Sequence, residues 1–158
     1  MTAVFEDVCH SSIECAAAMG EEVMFVGHSD TTITVWVVDQ KLKISEKIKV
    51  LRAHSGPVKG KINSCFTLFL FYSNRGKKGY FSVLRAIPEY GILISGCESG
   101  RVVVWDISHF HLIRLLTVMP EAIKDLRACW ITGDLFVATE RRISVFTING
   151  IPLGKHLI

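Results

Sequence analysis

A few groups of residues carry side chains whose types and spacing could do chemistry. Cys97, with a histidine elsewhere in the chain, has the elements of a thiol nucleophile. Activating a thiol takes a positioned base in a partly exposed, electropositive setting; Cys97 falls just inside a tight turn, so an inert thiol is expected. His109 and His111 are spaced to set both imidazoles on one side of an extended strand, as half a metal site would. A third and fourth ligand at matching spacing are absent, so no metal is expected. His54, in a turn ahead of a strand, has the position of a general base, yet a histidine bonded to a turn and a strand hydroxyl fits the same place. Arg141-Arg142 puts two guanidiniums in one turn, for an acidic partner or for water. There is no Gly-rich phosphate loop, no Gly-x-Ser-x-Gly elbow and no His-Glu-x-x-His pair. The expectation is a protein that is not an enzyme and that holds no cofactor.

The elements that must position these residues repeat. MFVGHSDTTITVW, LISGCESGRVVVW and LFVATERRISVF share one layout: a short apolar run, a small residue, a polar turn, then a β-branched run closed by an aromatic ring. Val, Ile and Thr crowd the second arm of each while Gly, Ser and Asp occupy the turns, so each predicts a β-hairpin. Gly27 to Trp36 and Gly96 to Trp105 are each nine residues, and Ala138 to Phe146 is eight. Trp105 to Phe146 is 41 residues, within the ~40 to 45 of four-stranded propeller blades. Trp36 to Trp105 is 69, but removing the 22 residues from Gly60 to Phe81 brings it to 47 and joins HSGPVK to SVLRAIPEYGILISGCESGRVVVWD without a seam. Asn149-Gly150 predicts a two-residue hairpin turn with positive φ at both positions.

The joined text resembles the WD-repeat family, with Ala53-His54, Ser95-Gly96 and Trp105-Asp106 where its blades carry Gly-His, Ser-Gly and Trp-Asp. The first blade keeps Gly27, Asp30 and Trp36 but has Val37 for the closing Asp; the third has Ala138 and Phe146. Ser99 replaces the turn Asp of the middle blade, and Pro120 stands near where the third blade's His belongs, so the family's buried His, Ser, Asp and Trp network is incomplete. His10 is the degenerate counterpart of His54 in the first blade. The resemblance implies an all-β fold of three four-stranded antiparallel blades, residues 3–52, 53–117 with the insert 60–81, and 118–158. Trp36, Trp105 and Phe146 are then expected to fill the space between blades. Closed propellers take ~4 to 8 blades, so an incomplete propeller is expected, the C-terminal part or a truncated isoform of a longer protein.

Thr132-Gly133-Asp134 and Ile148-Asn149-Gly150-Ile151-Pro152-Leu153 resemble the closing blades of propellers found C-terminal to BEACH domains. That resemblance implies a large cytosolic scaffold in vesicle, lysosome and autophagy traffic, peripheral on endosomal or lysosomal membranes. Its partners would be other proteins met at loops on the propeller rim, and the missing blades of the parent chain. A WD-repeat adaptor of another setting, such as a ubiquitin ligase or cytoskeletal complex, is the alternative.

Composition agrees with a folded protein: 49% apolar and 21% charged residues exclude wholesale disorder and fibrous repeats. Glu6 and Asp7 stand where a secretory signal wants positive charge. The five cysteines are odd in number and form no Cys-x-x-Cys pair, which predicts reduced thiols in the cytosol. The net charge of +3 resides in residues 60–81, where Lys61, Arg75, Lys77 and Lys78 stand without an acidic residue. No basic face remains for nucleic acid. The insert also holds six of the fifteen aromatic residues. It reads either as a lipid-binding loop, with Phe66 to Tyr72 in the interface and Arg75, Lys77 and Lys78 on anionic headgroups, or as an intron read through in frame. Gly-Lys can be encoded with an internal GTAAG, and Tyr-Phe-Ser with TTTCAG, the two edges of an intron. Aligning the transcript to the genome separates them.

Overall fold

The runs rich in Val, Ile and Thr become strands in the computed structural model, which describes residues 11–20, 22–39, 44–54, 84–118, 120–129 and 131–157. The insert, with Arg75, Lys77 and Lys78, lies outside the described residues, as does His10. Strands β1 (Ile13–Met19), β2 (Val23–His28), β3 (Thr32–Asp39) and β4 (Ile44–Arg52) make one sheet. A second holds β5 (Leu84–Ile87), β6 (Ile92–Gly96), β7 (Arg101–Asp106) and β8 (His111–Val118), with a 3-10 turn at Pro88–Tyr90 between its first two strands. The third holds β9 (Asp125–Ala128), β10 (Leu135–Ala138), β11 (Arg142–Phe146) and β12 (Pro152–Leu157). Every neighbouring pair is antiparallel and follows chain order. The three four-stranded blades expected from the hairpin spacing are what the structure shows.

The turns follow their residues, with one correction. Gly100 closes the β6–β7 turn at φ 80° and Gly150 closes the β11–β12 turn at φ 82°, but Asn149 is not at positive φ. Gly150 donates its N–H to Thr147 O at 2.8 Å. The connection is therefore a three-residue loop ending in a left-handed glycine, with the register shift in the ladder beside it, and not a two-residue turn. Thr31, at φ 76°, occupies the place Gly100 has in the next blade. A β-branched residue is strained there, so Thr31→Gly should raise stability by up to ~1 kcal/mol; a lower urea midpoint would refute the strain.

Because side chains alternate along a strand, the middle blade serves two cores. Leu93, Val103 and Trp105 point one way and pack with Cys15, Phe25, Ile33, Val35 and Leu51 of the first blade. Ile92, Ile94, Val102 and Val104 point the other way and pack with Ile123, Leu126, Leu135, Val137 and Phe146 of the third. Arginines fasten the second seam at both ends. Arg85 Nε donates to Leu126 O at 3.3 Å and its other end lies 3.8 Å from the Asp125 carboxylate; Arg114 donates to Asn149 O. Between them the backbone at Gly96 comes so close that an added Cβ would sit 2.8 Å from Ile123 Cγ2 and 3.0 Å from Leu126 Cδ1. Gly96→Ala should cost ~1–3 kcal/mol by overpacking, less in an Ile123→Ala background. Urea denaturation of both chains measures this, and equal losses in the two backgrounds would contradict the close approach.

Candidate functional site

Polar side chains, some of them singled out by the sequence, form small clasps, one per blade, buried in the first two blades and partly buried in the third. In the middle blade the Trp105 indole N–H donates to Ser95 Oγ at 2.7 Å, and Ser95 Oγ lies 2.7 Å from His54 Nε2. Ser95 has one proton to give, so the chain runs from Trp N–H to Ser O–H to a neutral imidazole nitrogen. Burial, then the nearby Arg101 charge, push the His54 pKa down to about 4, in keeping with an imidazole that must accept. Arg101 in turn donates to Ala53 O at 3.2 Å, tying the lead-in segment to β7. His54 Nε2 is thus held in a structural hydrogen bond, while Nδ1 is buried with no hydrogen-bond partner among the described residues.

The first blade makes the same chain from other positions. Val26 stands where Ser95 does in the middle blade, and the hydroxyl comes instead from Thr34, two residues before the ring. Trp36 Nε1 donates to Thr34 Oγ1 at 2.9 Å, and His28 Nε2 lies 2.8 Å from that oxygen. His28 and Thr34 are both buried, and neither was singled out by the sequence motif. Gly27 is buried at the end of β2, opposite Ile33, and Asp30 accepts from the Thr32 hydroxyl and amide at 2.6 and 3.0 Å. Trp36 differs from Trp105 in its surroundings. It lies on the face opposite Ile33 and Val35, away from the shared core, with Lys47 Nζ 5.7 Å from its ring. Phe146, by contrast, lies in the core between the second and third blades.

The third blade replaces the motif with charge. The Thr139 hydroxyl donates to Glu121 Oε2 at 2.5 Å, and Arg142 Nη2 donates to Glu121 Oε1 at 3.2 Å. The Thr139 hydrogen bond, and the Arg142 charge behind it, hold the Glu121 carboxyl below its usual range. Arg142 therefore turns inward to an acid of its own chain, which removes it from the pair offered to an acidic partner; Arg141 stays exposed in the turn.

Cys97 is 0% exposed and its sulfur sits 2.9 Å from Ser99 Oγ, so the exposed setting that a thiol nucleophile needs is not there. Cys15 is buried as well, and burial pushes its pKa up to about 12. Asp106, at the end of β7, accepts the Ser108 N–H on Oδ1 at 2.7 Å and faces His109 Nδ1 with Oδ2 at 2.8 Å. His111 Nδ1 approaches the same Oδ2 to 3.4 Å. The spacing of the two histidines was legible; that the turn folds the closing Asp of the Trp-Asp pair against them was not. Among the described residues no helix is long and apolar enough to cross a membrane.

Four-stranded antiparallel blades joined through shared apolar seams, with a His–Ser–Trp clasp and a Trp-Asp close, define the fold of WD40 propellers. No family model matches the chain. The WD40 repeats of RRP9 superpose with a TM-score of 0.72 over 96% of this chain and 40% of that one, at 16% identity, and the structure of U3-55K does so over 96% and 41%. Among curated proteins, the chain is 25% identical over 72 residues to mouse "WD repeat- and FYVE domain-containing protein 4". It is 23% identical over 148 residues to "Protein SPIRRIG" of Arabidopsis thaliana. To "Set1 complex component swd1" of Schizosaccharomyces pombe it is 36% identical over 66 residues. These matches cover 46%, 89% and 42% of this chain but only 2%, 3% and 16% of those proteins. Together they support a place among the WD-repeat proteins, whose propellers generally bind other proteins.

Proposed function

We propose that the chain is a non-catalytic interaction scaffold, a stretch of propeller from a large BEACH-type protein in vesicle, lysosome or autophagy traffic. The observation that carries the scaffold reading is the use of the chain's polar side chains: His54, Ser95, His28, Thr34, Glu121 and Arg142 all hold blades together. Recognition then falls to the turns on the rim, Arg141 among them, where loops of several blades make one composite surface. The BEACH-type reading is supported by the Thr132-Gly133-Asp134 and Ile148–Leu153 pattern in the third blade and by likeness to a very long WD-repeat protein. It places the protein in the cytoplasm, peripheral on endosomal or lysosomal membranes. A second reading, a WD-repeat subunit of another multiprotein complex, is favoured by the higher identity to a Set1 complex component. Proximity labelling with the parent chain at native expression separates the two. Enrichment of endosomal and lysosomal membrane proteins supports the first; enrichment of one fixed complex without those membranes overturns it in favour of the second.

A further inference from the structure

The turn between β7 and β8 assembles three ligand groups at one exposed point. We propose that Asp106, His109 and His111 bind a single divalent d-block cation of the zinc type, with water completing its shell. The ligand atoms, one carboxylate oxygen and two imidazole nitrogens, lie within 4.8 Å of one another. A tetrahedral cation with bonds of ~2.0–2.1 Å holds its ligand atoms roughly 3.3 Å apart. His111 Nδ1 and Asp106 Oδ2 stand at 3.4 Å already, and His109 Nδ1, now 2.8 Å from the same oxygen, needs to withdraw by about half an ångström.

Two features outside the ligand set hold this geometry. Asp106 Oδ1 is taken by the Ser108 N–H, so the carboxylate keeps one orientation and presents Oδ2 to the imidazoles, as outer hydrogen bonds do for metal-binding carboxylates. The turn is also anchored from below. Ile107 is buried and donates its N–H to Gly91 O at 3.0 Å. Phe110, at φ 53°, lays its ring edge-on to Phe25 of the first blade with centroids 6.5 Å apart. With Ile107 and Phe110 turned in, His109 and His111 are left outside on one side, 77% and 60% exposed, rings 5.9 Å apart. Two imidazoles and one carboxylate suit zinc, nickel or copper over calcium or magnesium, which take oxygen. Three protein ligands at an exposed turn leave positions open to water or to a residue of a bound partner.

The test is titration of the full 158-residue chain with zinc in metal-free buffer, read by calorimetry and by imidazole nitrogen NMR. One zinc per chain is expected, with the largest shifts at Nδ1 of His109 and His111. His109→Ala with His111→Ala should weaken binding by ~10-fold or more, while the urea midpoint without metal falls only slightly, since both side chains are largely exposed and the His109–Asp106 contact lies at the surface. No binding by the wild-type chain overturns the proposal. So does zinc held within twofold by the double variant, which would put the cation on cysteine thiols.

Discussion

Replacing Trp105 with alanine should remove about 3–5 kcal/mol of folding stability, a large share of the roughly 5–15 kcal/mol that an ordinary domain has. Two losses combine. The ring is 3% exposed and fills the seam between Leu93, Val103 and the first blade's Phe25, Ile33 and Val35, so its removal leaves a cavity shared by two sheets. Its N–H also begins the clasp that runs through Ser95 to His54, and without it a buried hydroxyl loses its donor. Trp105→Phe separates the terms: it keeps most of the apolar filling and drops only the N–H, for a cost of about 1–3 kcal/mol. Urea denaturation of the three chains is the measurement. A loss below about 1 kcal/mol for the alanine variant would mean that the blades do not share a seam at this ring.

Acid should weaken the fold in a window that belongs to His54. Its ordinary pKa is 6.5 and burial brings it to about 4 in the folded chain. The folded value is the lower one, so the unfolded chain takes up the proton first. Stability is then complete above pH 6.5 and falls as pH drops toward 4, by about 3 kcal/mol in all. Protonation also gives Nε2 a hydrogen that points at Ser95, which already receives one from Trp105. His54→Gln should flatten the dependence between pH 6.5 and 4.5. Asp106 and Glu121, held below their ordinary 3.8 and 4.5 by His109 and Thr139, contribute stability that is lost only at lower pH. A stability that is level from pH 7 to 4.5, or an equal slope in His54→Gln, would show that His54 is free to ionise in the fold.

The blades were legible because their signals are local. A β-branched run after a polar turn commits a hairpin wherever it stands, and His54, Ser95, Gly96, Trp105 and Asp106 keep positions whose spacing is a motif in itself. The first blade's clasp was not legible, because Val26 breaks the motif and the repair uses His28 and Thr34. Those two meet only through the β2–β3 register that pairs Gly27 with Ile33. The clasp of the third blade joins residues 18 and 21 positions apart and exchanges a hydrogen-bonded histidine for an ion pair, a change of chemistry that no hydroxyl motif announces. The Arg85 and Arg114 fasteners bind backbone carbonyls, and a carbonyl has no sequence signature. In the His109-Phe-His111 triplet the extended strand expected from the spacing is not formed: residues 107–110 are a turn and β8 begins only at His111, so the turn with Phe110 at positive φ, and not strand alternation, leaves both imidazoles on one side.

The two-sidedness of the middle blade bears on how the chain can misfold. A slip of β6 by one residue would swap Leu93 with Ile94 and carry Ser95 from His54 and Trp105 into the seam with Ile123 and Leu126. Side-chain period makes every such error complete along the strand, and here each misplaced residue spoils two interfaces at once. The middle hairpin therefore works as a parity check on its neighbours: a wrong register cannot be hidden on one side, since the blade before it and the blade after it read opposite halves of the same alternation.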